Sequence, residues 1–242
     1  MDTSVYVGLS GQIALERRLA TVANNVANAG TVGFRGEGVH FESVVSATAP
    51  FQTSFVTGGV PHADMRSGGF SKTGNPLDVA IQGSGFMAVQ TPQGIGYTRD
   101  GRMQMLPTGD LVSINGHPVL DVSGAPLTAN PAAGAIEISR DGMIRQEGRA
   151  LGAIGLFEVD LQKGYSRFEN SAFMPQGEPV PVEDFTRNGM VQGFVEQSNV
   201  NPILEMTRLI AVQRAFEAVS SGMEQRDQTM RDAIQALGAR SS

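Results

Sequence analysis

Apolar positions form one helical stripe at each end of the chain and short alternating runs between them. Near the start, Leu15, Leu19, Val22 and Val26 are spaced 4, 3 and 4 residues apart, and Ile13, Ala20, Ala23 and Ala27 widen that stripe. This spacing predicts a helix over residues 4–28, stopped by Asn28-Ala29-Gly30, with Gly30 as the left-handed residue beyond the last turn. Near the end, Leu209, Val212, Phe216, Val219 and Met223 recur at steps of 3, 4, 3 and 4, and the same steps lead to Arg226, Met230, Ala233 and Leu237. Asn201 suits the cap of this helix, Pro202 its first position, and Glu205 its first turn; Gly238 closes it. A 3.5-residue period held for about four heptads predicts a coiled-coil seam, on a helix roughly 50 Å long. Ile203, Leu204, Ile210 and Ile234 lie off that seam. A helix that is apolar on more than one side requires more than one neighbour.

The middle of the chain has the other period. Leu77–Ile81, Leu111–Ile114 and Ile154–Phe157 are short apolar runs, and Asp100-Gly101, Asn115-Gly116, Asp141-Gly142 and Asn188-Gly189 are hairpin-turn dipeptides. Residues 36–193 hold 24 of the 30 glycines and 11 of the 12 prolines, so the chain-breaking residues avoid both predicted helices. The expected fold is α+β: long N- and C-terminal helices paired as a coiled-coil-like core element, with a mainly β central domain of small barrel or sandwich type. The expected division is an N-terminal assembly helix in 1–35, an extended and irregular linker in 36–75 anchored by Phe41, Phe51, Phe55 and Phe70, a β-rich domain in 76–193, and a C-terminal assembly helix in 194–242.

Composition narrows the functions open to this fold. A hydrophobic fraction of 40% with 17% charged residues describes a folded chain with a core, and no stretch approaches the ~18 apolar residues of a membrane-spanning helix. The net charge of −6 disfavours nucleic-acid binding, which needs a basic surface. The absence of cysteine excludes disulfides, thiol catalysis and thiolate metal sites. His40, His62 and His117 share no metal-ligand spacing, and Asp100, Asp110, Asp121 and Asp141 each lie near a glycine, where Asp bonds its own turn backbone. Gly83-Ser84-Gly85-Phe86-Met87-Ala88 matches a loose dinucleotide pattern, but strand and turn follow it, not a helix N-terminus. The expectation is no catalytic residue, no cofactor and no metal. The start of the chain lacks a basic run followed by an apolar core, so it does not read as a Sec-type signal peptide. The terminal helices remain as the informative feature. They form either an appendage to the β domain or surfaces for assembly, and the thin core available to the Ala-rich first helix favours assembly.

Three separate motifs carry a family resemblance. Asn24, Asn25, Val26, Ala27 and Asn28, followed by Thr31, Gly33, Phe34 and Arg35, are similar to the N-terminal signature of the flagellar axial proteins, the rod, hook and hook-associated components of the bacterial flagellum. Gly193 to Asn201, including Asn199, with Glu205-Met206, Leu209-Ile210 and the run Gln213-Arg214-Ala215-Phe216-Glu217, resembles the C-terminal signature of the rod and hook members. Thr73 to Ile81, Tyr97 to Gly101 and Gly116 to Leu120 resemble the β region those members share, and Arg35 stands where Lys is common. Tyr6 to Gly11 and the region 36–45 favour a proximal-rod member over a distal-rod one.

The resemblance implies a non-enzymatic structural subunit of the rod. Such a subunit polymerises through its terminal helices into the helical drive shaft that crosses the periplasm and transmits torque. The implied partners are other proximal and distal rod subunits, copies of the chain itself and the flagellar type III export apparatus, with no nucleic acid and no membrane insertion. The implied location is the basal-body rod, reached without a cleaved signal peptide, and a cysteine-free chain suits passage into an oxidising compartment. The implied assembly residues are Leu15, Leu19, Val22, Val26, Leu209, Val212, Phe216, Val219, Met223, Met230 and Leu237. The alternative from another class is a secreted β module that binds or cleaves glycan.

Overall fold

The computed structural model describes residues 3–46 and 53–238. The chain is α+β, with a mainly β central region between helix α1, Thr3–Ala27, and helix α2, Pro202–Gly238. No described helix is long and apolar enough to cross a membrane. The residues divide into two compact units. One holds α1, residues 37–62 and α2; the other holds residues 28–36 and 63–200.

In the first unit, α1 and α2 pack antiparallel. Asn25 near the end of α1 reaches Glu205 at the start of α2, and a Cβ on Gly8 would lie 3.2 Å from the Met223 sulfur. Asn201 caps α2 as its residue type predicts: its Oδ1 accepts from the N–H groups of Ile203 and Leu204 at 3.1 and 3.2 Å. The expected irregularity of 36–75 is corrected. The segment contains the strands Glu37–His40, Ser43–Ser46, Thr53–Val56, Val60–Ala63 and Phe70–Lys72. Ser43–Ser46 pairs antiparallel with Thr53–Val56, and the β-branched Val44, Val45 and Val56 suit that ladder despite the glycines around it. Phe41 and Phe55 are half-buried, Phe70 is exposed, and Phe51 lies outside the described residues.

The second unit is built on a six-stranded sheet. Its spatial order is Tyr165–Phe168, Ala172–Pro175, Gly94–Thr98, Phe86–Thr91, Leu156–Glu158 and Val180–Pro181. Phe86–Thr91 is buried on both faces: Phe86 and Ala88 join a cluster with Tyr97, Phe157 and Phe173, while Met87 and Val89 join one with Ile81, Leu111, Ile144 and Leu156. A strand that serves two cores reads as a continuous apolar run, as this one does. It also explains why Gly83–Ala88 leads into a strand and holds no phosphate-binding helix.

Two of the four turn dipeptides form the expected turns. Gly116 and Gly142 have φ of 86° and 80°, and their N–H groups donate to Ser113 and Ser139 carbonyls at 2.9 Å. Asp100-Gly101 and Asn188-Gly189 do not form hairpins, because the strands flanking each pair with other strands. Asp100 is buried and accepts from the Arg102 N–H and guanidinium two residues on, and Asn188 is buried and accepts from the Ser84 N–H. Nor is Gly30 the left-handed residue; Gly33 is, at φ 69°.

This difference between turns is measurable. A Cβ on Gly101 would sit 1.9 Å from the Val79 carbonyl oxygen, whereas one on Gly116 would meet open space. Gly116→Ala should cost ~1 kcal/mol, the penalty of its positive φ. Gly101→Ala forces backbone apart and should lower the melting midpoint of the purified chain by several times as much. Equal shifts would show that Gly101 is an ordinary turn.

Candidate assembly interface

The first unit presents three faces of α1. Leu15, Leu19 and Val26 are half-buried and Val22 buried along the stripe that meets α2. A second face packs on the strand segment. Val56 N–H donates to Ser10 Oγ at 3.5 Å, Arg17 Nη1 donates to the Gly58 carbonyl at 2.5 Å, and Ala14 is 8% exposed. Asn25 ends this face and is itself buried. Its amide donates to the Glu37 carbonyl at 2.8 Å and accepts from the Glu37 N–H at 2.9 Å, as a neighbouring strand would. The same amide nitrogen lies 3.5 Å from Glu205 Oε2, and Arg208 Nη1 lies 2.5 Å from Oε1. A carboxylate in the first turn of α2 also favours the helix dipole. The third face is open: Leu9, Ile13, Glu16, Ala20 and Ala23 are exposed.

On α2, Val212 is buried and Leu209, Phe216, Val219, Met223 and Arg226 are half-buried, and Met223 lies against Gly8 of α1 in the same chain. Met230 is 51% exposed, beyond the last turn matched by α1, and the side chain of Leu237 lies outside the described residues. Off the seam, Ile203, Met206 and Ile210 are 77%, 52% and 53% exposed. They recur at steps of 3 and 4, so they form an outward apolar stripe of their own. Gln213 bonds Glu217 at 3.3 Å, and Arg214 is exposed.

The remaining motif residues gather in the second unit, where the segments leading out of α1 and into α2 are tied together. Asn28 receives bonds from the Thr31 N–H and hydroxyl at 3.1 Å each. Gly33 N–H donates to the Glu196 carbonyl at 2.7 Å, and Phe34 is buried beneath the Arg167 guanidinium, 4.6 Å from its ring centre. Asn199 Oδ1 accepts from Gly36 N–H at 2.8 Å while its amide donates to the carbonyls of Asp64 and Arg66 at 2.8 Å. Asn24 is exposed on α1.

At the centre lies a group whose members fall in three separate motifs, with nothing in the sequence to join them. Glu196 is 1% exposed, and its two carboxylate oxygens lie 2.8 Å from Arg35 Nη2 and 3.0 Å from Arg99 Nη1, both arginines also 1% exposed. Oε1 further accepts the Gly68 N–H at 2.9 Å. Arg99 donates to the carbonyls of Ile81 and Gly83 and lies over the Phe86 ring; Arg35 donates to that of Arg66. Burial lowers both guanidinium pKa values, that of Arg99 to about 10, against the opposing attraction of Glu196. The one available signal was the charge that ends the apolar run Phe194-Val195-Glu196. Elsewhere, His117 pairs with Glu169 at 2.9 Å, and no group of His, Asp and Glu among the described residues could hold a metal.

Comparison with known proteins matches each of these regions. Residues 5–35 match the family model "Flagella basal body rod protein", residues 80–146 "Flagellar hook protein FlgE/F/G D1 domain", and residues 191–236 "Flagellar basal body rod FlgEFG protein C-terminal". The flagellar basal-body rod protein FlgF of Mesorhizobium japonicum is 49% identical over 241 residues, covering 100% of both chains. The chain belongs to the FlgF family of flagellar basal-body rod proteins. FlgF of Rhizobium meliloti is 44% identical over 98% of this chain and 99% of its own. FlgG of Buchnera aphidicola, a rod protein by name, is 32% identical over 95% of this chain and 98% of its own. As a FlgF-family member, the chain is a structural subunit of the flagellar basal-body rod and not an enzyme, and it assembles with other rod proteins in the basal body.

The buried triad should dominate the stability of the second unit. Glu196→Gln removes the one negative charge between two buried guanidiniums, a change that costs ~3–5 kcal/mol when a buried pair is broken. Arg35→Lys keeps the charge and should cost less. Thermal unfolding of the purified variants measures the difference, and a Glu196→Gln midpoint within a degree of the parent would show that the triad contributes no net stability.

Proposed function

We propose that the chain enters the rod through its first unit, with α1 and α2 paired in a coiled-coil-like manner. In this reading the seam residues Leu15, Leu19, Val22, Val26, Leu209, Val212, Phe216, Val219 and Met223 build the pair, and Met230 and Leu237 extend its stripe. The pair presents its outward residues to neighbouring proximal- and distal-rod subunits and to copies of the same chain. The subunit reaches the periplasm through the flagellar type III export apparatus. There it forms part of the helical shaft that transmits torque. The observation that carries this reading is a pair of exposed apolar stripes on the helices of one unit, Leu9 and Ile13 on α1 and Ile203, Met206 and Ile210 on α2. Exposed apolar stripes on a helix are surfaces for a partner, and head-to-tail contacts that do not close into a ring generate an open helix.

Phe216→Asp tests this reading. Burying a Phe side chain contributes ~1.5–3 kcal/mol, and an unpaired buried carboxylate costs several kcal/mol more unless it protonates. The substitution should abolish swimming and remove the chain from isolated basal bodies, while the purified variant keeps the cooperative melting of its β unit. Glu217→Ala, on the neighbouring exposed position, should leave swimming intact. Normal swimming of Phe216→Asp cells would overturn assembly through the helix pair.

A further inference from the structure

Resting on that reading, we propose that the outward stripe of α2 in one copy, Ile203, Met206 and Ile210, seats on the open face of α1, Leu9 and Ile13, in the next copy. Both stripes are exposed and apolar. Each lies roughly a third of a turn from the α1–α2 seam of its own chain, at ~100° per residue. They also lie toward opposite ends of the antiparallel pair. Within one chain, Gly8 of α1 faces Met223 and Asn25 faces Glu205, so Leu9 and Ile13 lie level with the middle of α2, far from its start. One chain therefore cannot satisfy both stripes with each other.

A second copy with the same polarity satisfies both. Its α2 runs antiparallel to α1, as it does within a chain, and Met206 interleaves between Leu9 and Ile13 with Ile203 and Ile210 on either side. The register differs from the intramolecular one by about 13 residues, so successive copies step roughly 20 Å along the helix axis. The contact is heterologous and each copy leaves one stripe open, which is the condition for an unclosed assembly.

Charge supports this occupant. The open face of α1 carries one charge, Glu16, which is exposed and has no ion pair or hydrogen bond among the described residues. In the proposed register Glu16 lies opposite residue 201, at the N-terminus of the neighbour's α2, where the helix dipole favours an anion. The outward stripe of α2 carries no charge before Glu217, so no like charges meet along the overlap.

Because the chain contains no cysteine, paired substitutions report the contact directly. Ile13→Cys and Met206→Cys are expressed together, on separate copies, in cells that carry no other copy of the chain. After mild oxidation of basal bodies from swimming cells, a disulfide-linked dimer is expected only when both variants are present, and a ladder of higher multiples when both substitutions are in one chain. Dimers of either single variant alone, no cross-link in swimming cells, or a cross-link to a different polypeptide would overturn the pairing while leaving assembly through the helices intact. Glu16→Lys gives a readout that needs no cysteine. It should reduce rod incorporation on the order of fivefold relative to Glu16→Gln, with an unchanged melting curve of the purified chain. Equal incorporation of the two would overturn the pairing. Failure of the assembly reading itself appears separately, as swimming Phe216→Asp cells.

Discussion

The carboxylate of Glu196 is the constraint on which the β unit depends. It lies where three stretches distant in sequence converge: the segment after α1, which supplies Arg35, the strand end that supplies Arg99, and its own strand, Phe194–Glu196, just before α2. Each arginine alone would be an uncompensated buried cation. Together they are neutralised only in part by one carboxylate, so backbone carbonyls of Ile81, Gly83 and Arg66 and the Phe86 ring supply the remaining negative potential. An apolar cluster tolerates small shifts in register, but a buried ion triad with directional partners does not. The arrangement therefore sets where the chain leaves toward α2 relative to where it arrives from α1.

Asn25 and Asn199 act by the same physics on neutral groups. An amide can donate and accept at once, so each closes nearby backbone groups. Asn25 serves the lone Glu37 peptide in the helical unit, and Asn199 serves Gly36, Asp64 and Arg66 in the β unit. Their presence in family-like motifs has a direct cause in these bonds. Asn24 is different, since it is exposed on α1.

The β unit buries Phe86, Met87, Ala88 and Val89 on both faces of one strand. The helical unit leaves Leu9, Ile13, Ile203, Met206 and Ile210 in solvent, although α1 already uses two of its three faces within the chain. A protein that worked alone would gain by covering these residues. A rod subunit gains by leaving them open, because the free energy of burying them is then released on assembly.

The two helices and the cap at Asn201 were legible because helix periodicity is a local property: residues 3 and 4 apart share a face whatever the rest of the chain does. The absence of catalytic or metal motifs and the family resemblance were also matters of residue type and order. Which partner each helical face meets was not legible, since Ala14 and Ala20 are the same residue and only packing buries one and exposes the other. Asp100-Gly101 and Asp141-Gly142 are identical pairs, yet only the second turns a hairpin, because strand pairing across the sheet decides which neighbours are joined. The Glu196 triad is the strongest case. Its members are separated by 64 and 97 residues, and a charge inside an apolar run costs too much until the fold delivers its counter-charge, so only the tertiary structure could show that these three residues form one site.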